Sequence, residues 1–329
     1  MLVFISMIGV IMYRVIMSVN FCQTTTQCLL YTTVISSVLN AISILILGKI
    51  YDVLAWKLTD WENHRTQTRY DDALIMKLFA FQFVNNYTTL FYIAFLRGVV
   101  FGTNGLFGLG LEYQDSCGVD NNCMPMLSFQ VFTLMISKPL PKFLSDLVIP
   151  WLTNLWEKVF FKSSIVEKGF IEREMAKPPL GCFTLEEYTE KVVVYGFLML
   201  FAATFPLAPV IALVVILVDI RIDCKRMLWI FRRPVPQIAQ TIGMWYSILQ
   251  FLNFVGVISN AFLVAFTSSW GRNFTITDKL WIVIGFEHLV FSIKFIIATT
   301  IPDVPNRIRL QSRKVNIYTV FSSIVHTDQ

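Results

Sequence analysis

Residues 187–223 read EYTEKVVVYGFLMLFAATFPLAPVIALVVILVDIRID, and this stretch decides the fold. It contains two apolar runs, each close to the length of about 20 residues that a membrane-spanning helix requires. The short Pro-containing turn at 205–209 predicts that the two helices are antiparallel neighbours. Four acidic residues lie at the outer ends of the two runs, namely Glu187, Glu190, Asp219 and Asp223. Both acidic pairs are therefore expected on the same side of a membrane.

The rest of the chain has the same apolar character. Hydrophobic residues make up 55% of its 329 positions and charged residues only 15%, compared with roughly 25% charged residues in soluble domains. We find eight runs that are long and apolar enough to span a bilayer: 2–19, 29–56, 74–96, 126–157, 187–206, 208–231, 244–270 and 280–301. We therefore predict an all-α polytopic membrane protein, with about eight transmembrane helices in a domain at 1–302 and a cytoplasmic tail at 303–329.

Lys and Arg concentrate in alternate loops, and loops of this kind are usually cytoplasmic. The segments 57–73 and 158–186 and the tail carry many of them, whereas 20–28 and 98–125 carry none. This distribution predicts that both termini of the chain are cytoplasmic. The net charge of +5 follows from these loops, and it requires no nucleic-acid partner.

The loops assigned to the outside carry two further signals. Asn273 begins an Asn-Phe-Thr sequon for N-glycosylation. Four cysteines fall on the side where disulfides form: Cys22, Cys28, Cys117 and Cys123. The short spacing of Cys117 and Cys123 favours their pairing, but the sequence leaves the connectivity open. Cys182 and Cys224 fall on the cytoplasmic side and are predicted to be free thiols.

The acidic residues form a group that an apolar helix does not ordinarily tolerate. Positions three or four apart share one face of a helix, so each pair projects together, and Asp146 in a third apolar run reaches the same side. The nearest bases in the sequence are Lys142, Lys191 and Arg221. Oxygen ligands without His or Cys suit a hard cation such as Ca²⁺ and disfavour Zn²⁺. Spacing alone leaves interfacial charge and a proton relay open as alternatives.

Three stretches resemble the anoctamin family of Ca²⁺-activated chloride channels and phospholipid scramblases. They are Phe205-Pro206-Leu207-Ala208-Pro209 with the following Asp219-Ile220-Arg221-Ile222-Asp223 and Arg232-Arg233-Pro234, the segment 91–98 with its Cys117 and Cys123 loop, and Ile301-Pro302-Asp303-Val304-Pro305. Their order and spacing agree with the family over essentially the whole chain. The resemblance implies a fold of ten spans, of which this chain matches spans three to ten, and we expect it to be amino-terminally truncated.

The resemblance also implies a set of site residues. Two Ca²⁺ ions bind between spans six, seven and eight of the family, at positions matched here by Asp146, Glu187, Glu190, Asp219 and Asp223. Lys142 stands where the family has an Asn ligand, which puts a cationic side chain in the space for Ca²⁺. Ser137 matches the flexible Gly of span six, and with Pro139 and Pro141 it is a hinge candidate. Arg97 matches a basic position of the pore and equally suits an interfacial Arg.

The function that the resemblance implies is a homodimeric, Ca²⁺-activated anion channel that conducts chloride across the plasma membrane. Channels and scramblases share these motifs, so Ca²⁺-dependent movement of phospholipids is the alternative expectation. A non-conducting truncated or regulatory subunit is a second alternative. We do not predict an enzyme, because the chain has 3 histidines and no paired nucleophile is visible.

Overall fold

The computed structural model describes the greater part of the chain. The described residues are 4–5, 8–13, 16, 26–97, 123–144, 169–175, 177, 179, 183–233, 235, 241–301 and 304–327. Within these ranges the chain forms helices and no strands. This confirms the all-α class predicted from the sequence.

Ten helices, numbered α1 to α10 in chain order, make up the described architecture. Their bounds are α1 Thr26–Glu62, α2 Gln67–Phe91, α3 Met124–Ser137, α4 Leu140–Phe143, α5 Phe170–Met175, α6 Phe183–Leu200, α7 Ala208–Lys225, α8 Met244–Phe262, α9 Ile276–Thr300 and α10 Asn306–Thr327. The helix α10 occupies most of the predicted tail.

Three described segments are long and apolar enough to cross a membrane: Val34–Glu62, Met244–Thr267 and Ile276–Thr300. They coincide with three of the eight predicted spans, and the full count of eight stays a prediction. The helices α6 and α7 have 18 residues each, and both carry charged residues inside the helix as well as at its ends. Those internal charges lower their apolar character, and they include the four acidic residues singled out above.

The helix α6 lies at the centre of the packing. It contacts α2, α3, α7 and α8, and its Phe197 and Leu200 are fully buried. From α2, the hydroxyl of the fully buried Tyr87 donates a hydrogen bond of 2.8 Å to the carbonyl of Val193. Buried aromatic rings surround this contact, with Tyr87 and Phe197 meeting edge to face at 5.2 Å. A single apolar core therefore fixes the position of the helix that carries Glu187 and Glu190.

Two glycines allow neighbouring helices of the chain to pack closely in this core. A Cβ at Gly196 of α6 would overlap the Tyr87 hydroxyl. A Cβ at Gly256 of α8 would lie 2.8 Å from the backbone oxygen of Met199 in α6. Because a backbone atom cannot rotate away as a side chain can, the second contact sets the distance between α6 and α8.

Three helices end in a π-helical turn, in which the backbone bonds span five residues. These turns are Tyr92–Leu96 after α2, Arg226–Ile230 after α7 and Leu263–Thr267 after α8. Each closes with an N–H donating to the carbonyl five residues earlier, for example Phe231 to Arg226 at 2.9 Å. The turns after α2 and α8 pack together, and Thr267 Oγ1 donates to the Ala94 carbonyl at 2.8 Å.

The predicted apolar run 126–157 is interrupted. Its first helix, α3, ends at Ser137, and the single turn α4 begins only at Leu140. Pro139 and Pro141 lack the N–H groups that would continue the helical bonding. The hinge candidates therefore lie where helical hydrogen bonds are missing, although Lys138 and Pro139 keep right-handed helical dihedral angles; hinge motion itself stays a prediction.

The outward-facing features are placed only in part. Asn273 ends a short 3₁₀ turn and is exposed, so glycosylation there stays a prediction. Cys22, Cys117 and Cys182, and the side chain of Cys28, lie outside the described residues. Cys123 is buried directly before α3, and its pairing stays a prediction. Cys224 is an exposed free thiol, as expected.

The close approach at Gly256 generates a test of this packing. The substitution Gly256→Ala should lower the free energy of unfolding by about 1–3 kcal/mol, because the added methyl group forces α6 and α8 apart. The matched control is Gly285→Ala on α9, where a Cβ meets no atom within 4 Å and alanine is the better helix former. Thermal unfolding in detergent compares the two variants. Equal midpoints would contradict the described contact between α6 and α8.

A candidate cation site between three helical segments

Two antiparallel helices bring four carboxylates together. The helix α6 supplies Glu187 and Glu190 near its start, and α7 supplies Asp219 and Asp223 near its end. Carboxylate oxygens of Glu187, Asp219 and Asp223 lie within 4.8 Å of one another. The sequence prediction that both acidic pairs reach the same side is confirmed.

The carboxylates are shielded from water by the protein. Asp219 is 1% exposed, and the side chains of Glu187 and Asp223 are 14% and 16% exposed. Removing a carboxylate from water is costly unless a positive group or hydrogen-bond donor lies beside it. Such a cluster therefore requires cations, and the chain itself supplies three.

Lys142 of α4 lies where the carboxylates converge. Its Nζ is 2.6 Å from Glu187 Oε2, 2.8 Å from Asp219 Oδ1, and also 2.8 Å from Asp223 Oδ1. Glu190 Oε2 is further away, at 3.8 Å. The Lys142 side chain is only 12% exposed. One ammonium group thus contacts all four acidic residues that the sequence singled out on α6 and α7.

Lys191 and Arg226 complete the positive charge of the cluster. Lys191 Nζ lies 3.3 Å from Glu187 Oε2 and forms an ion pair with Asp219. Arg226 Nη1 lies 3.1 Å from Glu187 Oε1 and 3.6 Å from Asp223 Oδ1. Each of these bases therefore joins α6 to the end of α7.

Aromatic rings hold the Arg226 guanidinium in place. Its Cζ lies 5.4 Å from the ring centroids of both Phe183 and Phe231. A guanidinium over an aromatic face is attracted by the negative face of the ring. The first turn of α6 and the residue after the π turn of α7 thus position this base.

The prediction that Arg221 is one of the bases beside the carboxylates is wrong. Arg221 is exposed, and among the described residues it makes none of the ion pairs of the cluster. Residues four and three apart share a helix face, so Asp219, Asp223 and Arg226 align, whereas Arg221 points elsewhere. The same spacing rule, continued past the last acidic residue, would have selected Arg226.

The remaining predicted residues are placed unequally. Asp146 lies outside the described residues, so its part in the cluster stays a prediction. Ser137, Pro139 and Pro141 lie in and beside the break that precedes Lys142. Arg97 follows the π turn of α2 and is buried, with 6% exposure. That burial by protein is unlike an Arg exposed at the membrane interface.

A second group of polar residues escaped the sequence reasoning. Lys138, one turn before Lys142, donates to Gln82 Oε1 at 3.3 Å. Further along α2, Asn85 donates to the Ile44 carbonyl at 3.0 Å, and Thr89 donates to Asn40 of α1 at 3.1 Å. These amide and hydroxyl groups lie within apolar runs of the sequence. Polar residues at such positions were the signal that could have predicted the group. They form a buried polar column along the contact of α1 and α2.

The donor set of the carboxylate cluster fits Ca²⁺. All its acidic ligands offer oxygen, several oxygens converge within reach of one ion, and hard divalent cations prefer oxygen in flexible geometry. The fit has one distinctive feature, because the Lys142 ammonium already lies among those oxygens.

Comparison with known proteins identifies the family of the chain. Residues 1–315 match the family model described as "Anoctamin: Calcium-activated chloride channel". Anoctamin-7 of Homo sapiens is 32% identical over a 375-residue alignment that covers 94% of this chain and 40% of that protein. Anoctamin-7 of Mus musculus is also 32% identical, with 95% and 43% covered. Anoctamin-1 of Homo sapiens is 31% identical over 283 residues, with 81% and 28% covered.

The chain spans less than half the length of these curated relatives. The matched region nevertheless includes the break after α3, the carboxylate cluster and all three apolar segments. The resemblance found in the sequence is confirmed, and the chain belongs to the anoctamin family of membrane proteins.

Proposed function

We propose that the protein is a Ca²⁺-activated anion channel of the plasma membrane, controlled by Ca²⁺ binding to the carboxylate cluster. The observation that carries the proposal is the convergence of Glu187, Asp219 and Asp223 in a site that the protein shields from water. Buried acidic residues in membrane helices usually mark an ion site or an ion path. The family description, which names a calcium-activated chloride channel, supports the same assignment.

The residues that would hold Ca²⁺ are the four carboxylates of α6 and α7, together with Asp146. Bound Ca²⁺ supplies positive charge that neutralises the cluster. On the protein side, α6 and α7 present the oxygens, and the core contact around Phe197 keeps α6 fixed. The segment free to respond is α4, which follows the break at Pro139.

The buried polar column supports passage of an anion. Amide and ammonium groups can replace part of the water around an anion crossing an apolar bilayer. Lys138 lies at the end of the column near the cluster, and Arg97 lies at the opposite end of α3. Two positive groups at the two ends of a polar column favour anions over cations.

Phospholipid scrambling is the second candidate function. Lys138 and Arg97 would attract a lipid phosphate for the same electrostatic reason that they would attract chloride. The amides of Asn40 and Gln82 suit a polar headgroup as well as an ion. The two candidates therefore share one path and differ in what passes along it.

The proposal extends to topology and assembly. We assign eight spans, a cytoplasmic location to both termini, and a homodimer. The apolar helix α9 supports an assembly contact, since Val283 is its one buried residue among those described. Apart from its contact with α8, for example Phe291 stacked on Phe254 at 5.4 Å, its surface is available to lipid or to a second copy.

Removal of one carboxylate tests the site. The substitution Asp223→Asn should raise the Ca²⁺ concentration for half-activation at least about tenfold, because ligand charge sets the Ca²⁺ affinity of an oxygen site. Patch-clamp recording combined with a lipid-exposure dye measures the current and the scrambling in the same cells. The control is Asp71→Asn, an exposed carboxylate on α2 that bonds only Gln67 among the described partners.

The outcomes separate the candidates. Current without lipid exposure supports the channel, and lipid exposure supports the scramblase. An unchanged Ca²⁺ response of Asp223→Asn would exclude the cluster as the Ca²⁺ site. Neither activity in the unmodified chain would favour a non-conducting subunit.

The polar column generates a separate prediction. The substitution Lys138→Gln should reduce the preference for anions over cations, because it removes a buried positive charge from one end of the path. Reversal potentials in asymmetric salt measure that preference. Lys57→Gln removes an exposed charge from α1 and serves as the control. If both variants keep the selectivity of the unmodified protein, the column is not the ion path.

A further inference from the structure

We propose that Lys142 is a built-in cation of the carboxylate cluster. Its ammonium holds α4 to α6 and α7 when Ca²⁺ is absent, and the cluster accepts one Ca²⁺ ion, which enters by displacing that ammonium. The first statement rests on the ion pairs alone. The second rests on the proposed function, because it takes Ca²⁺ to be the ligand.

The Lys142 ammonium donates a hydrogen bond to Glu187 and forms ion pairs with Asp219 and Asp223. A lysine has three N–H donors and no acceptor. Three carboxylate oxygens, one each from Glu187, Asp219 and Asp223, lie 2.6 Å to 2.8 Å from Lys142 Nζ. Those three residues are the same ones whose oxygens converge closely enough for a metal ion. The ammonium and a divalent ion therefore compete for one set of oxygens.

Lys142 differs from the other two bases in what it connects. Lys191 belongs to α6 and Arg226 begins the π turn after α7, so their ion pairs join two helices that a short turn already links. Lys142 belongs to α4 and reaches across to both of them. Among the described ion pairs of the cluster, those of Lys142 connect α4 to α6 and α7.

The described part of α4 buries little apolar surface. It consists of four residues, and none of them is buried. Pro139 and Pro141 interrupt its backbone connection to α3. Because none of its four residues is fully buried, the ion pairs of Lys142 are the described polar contacts that attach α4 to α6 and α7.

Charge balance limits the number of Ca²⁺ ions. Four carboxylates face the three bases Lys142, Lys191 and Arg226, which leaves one net negative charge among the described residues. One Ca²⁺ ion in place of the Lys142 ammonium brings the net charge of the described cluster to zero, whereas two ions would leave two positive charges, or one if Asp146 is a ligand as well. Like charges in a shielded site repel strongly. The described cluster therefore suits one Ca²⁺ ion in exchange for the ammonium.

The test measures Ca²⁺ binding and stability on the purified full chain in lipid nanodiscs. Radioactive Ca²⁺ gives the stoichiometry and affinity, and thermal unfolding in a chelator gives the stability without Ca²⁺. The variants are Lys142→Gln, which removes the ammonium, and Arg221→Gln, which removes an exposed charge of α7 that takes no part in the cluster.

The unmodified chain should bind one Ca²⁺ ion. Lys142→Gln should bind Ca²⁺ about tenfold more tightly, within the usual range for coupled sites, because no tethered cation competes. In the chelator its unfolding midpoint should fall below that of Arg221→Gln, and saturating Ca²⁺ should remove the difference. Binding of two ions by the unmodified chain, or equal affinity in the two variants, would overturn the proposal.

Two further arms keep the result decisive. If Lys142→Gln does not fold, Lys142→Met removes the charge with a side chain of similar length and should also bind Ca²⁺ about tenfold more tightly; an unchanged affinity would overturn the proposal. If no protein binds Ca²⁺, the proposed function fails and the exchange fails with it. The unfolding midpoints in chelator then test whether the Lys142 ammonium attaches α4 to α6 and α7. Equal midpoints of Lys142→Gln and Arg221→Gln would refute that attachment.

Discussion

Four carboxylates that the protein removes from water need positive charge beside them, and this requirement organises one end of the described bundle. Without it, α6 and α7 would repel each other where Glu187 meets Asp219 and Asp223. The three bases convert that repulsion into the contact that fixes the two helices. The apolar core around Phe197 and Tyr87 then holds α6 at the centre, with the cluster at one end.

The two halves of the site differ in rigidity for a physical reason. The carboxylates on α6 and α7 lie on helices packed against buried aromatic and aliphatic side chains, which leaves little freedom to move. Lys142 follows two prolines and lies on a short turn that has no fully buried residue. A change in the charge of the cluster therefore acts on α4 more readily than on the helices that carry the ligands.

The sequence was sufficient to predict the features that depend on helical spacing and on short turns. Helical spacing placed both acidic pairs on one side, and the turn at 205–209 gave the antiparallel order. The choice between Arg221 and Arg226 depended on following the face of α7 one turn further, into a π turn that composition does not reveal. The polar column required knowledge of which faces of α1 and α2 meet, and the central position of Lys142 required the direction of the chain after Pro139. Asp146 lies outside the described residues and is still known only from its spacing.

The π turn at the end of α7 gives this site a means of rotation. A π turn holds one more residue per hydrogen-bonded loop than an α turn, and one residue of an α-helix corresponds to a rotation of about 100°. Shifting the bond between Phe231 and Arg226 to α-helical spacing would turn the following chain by about that angle without unfolding α7. Because Phe231 is one of the two rings that hold Arg226, the twist of this helix end and the electrostatic balance of the cluster are mechanically linked.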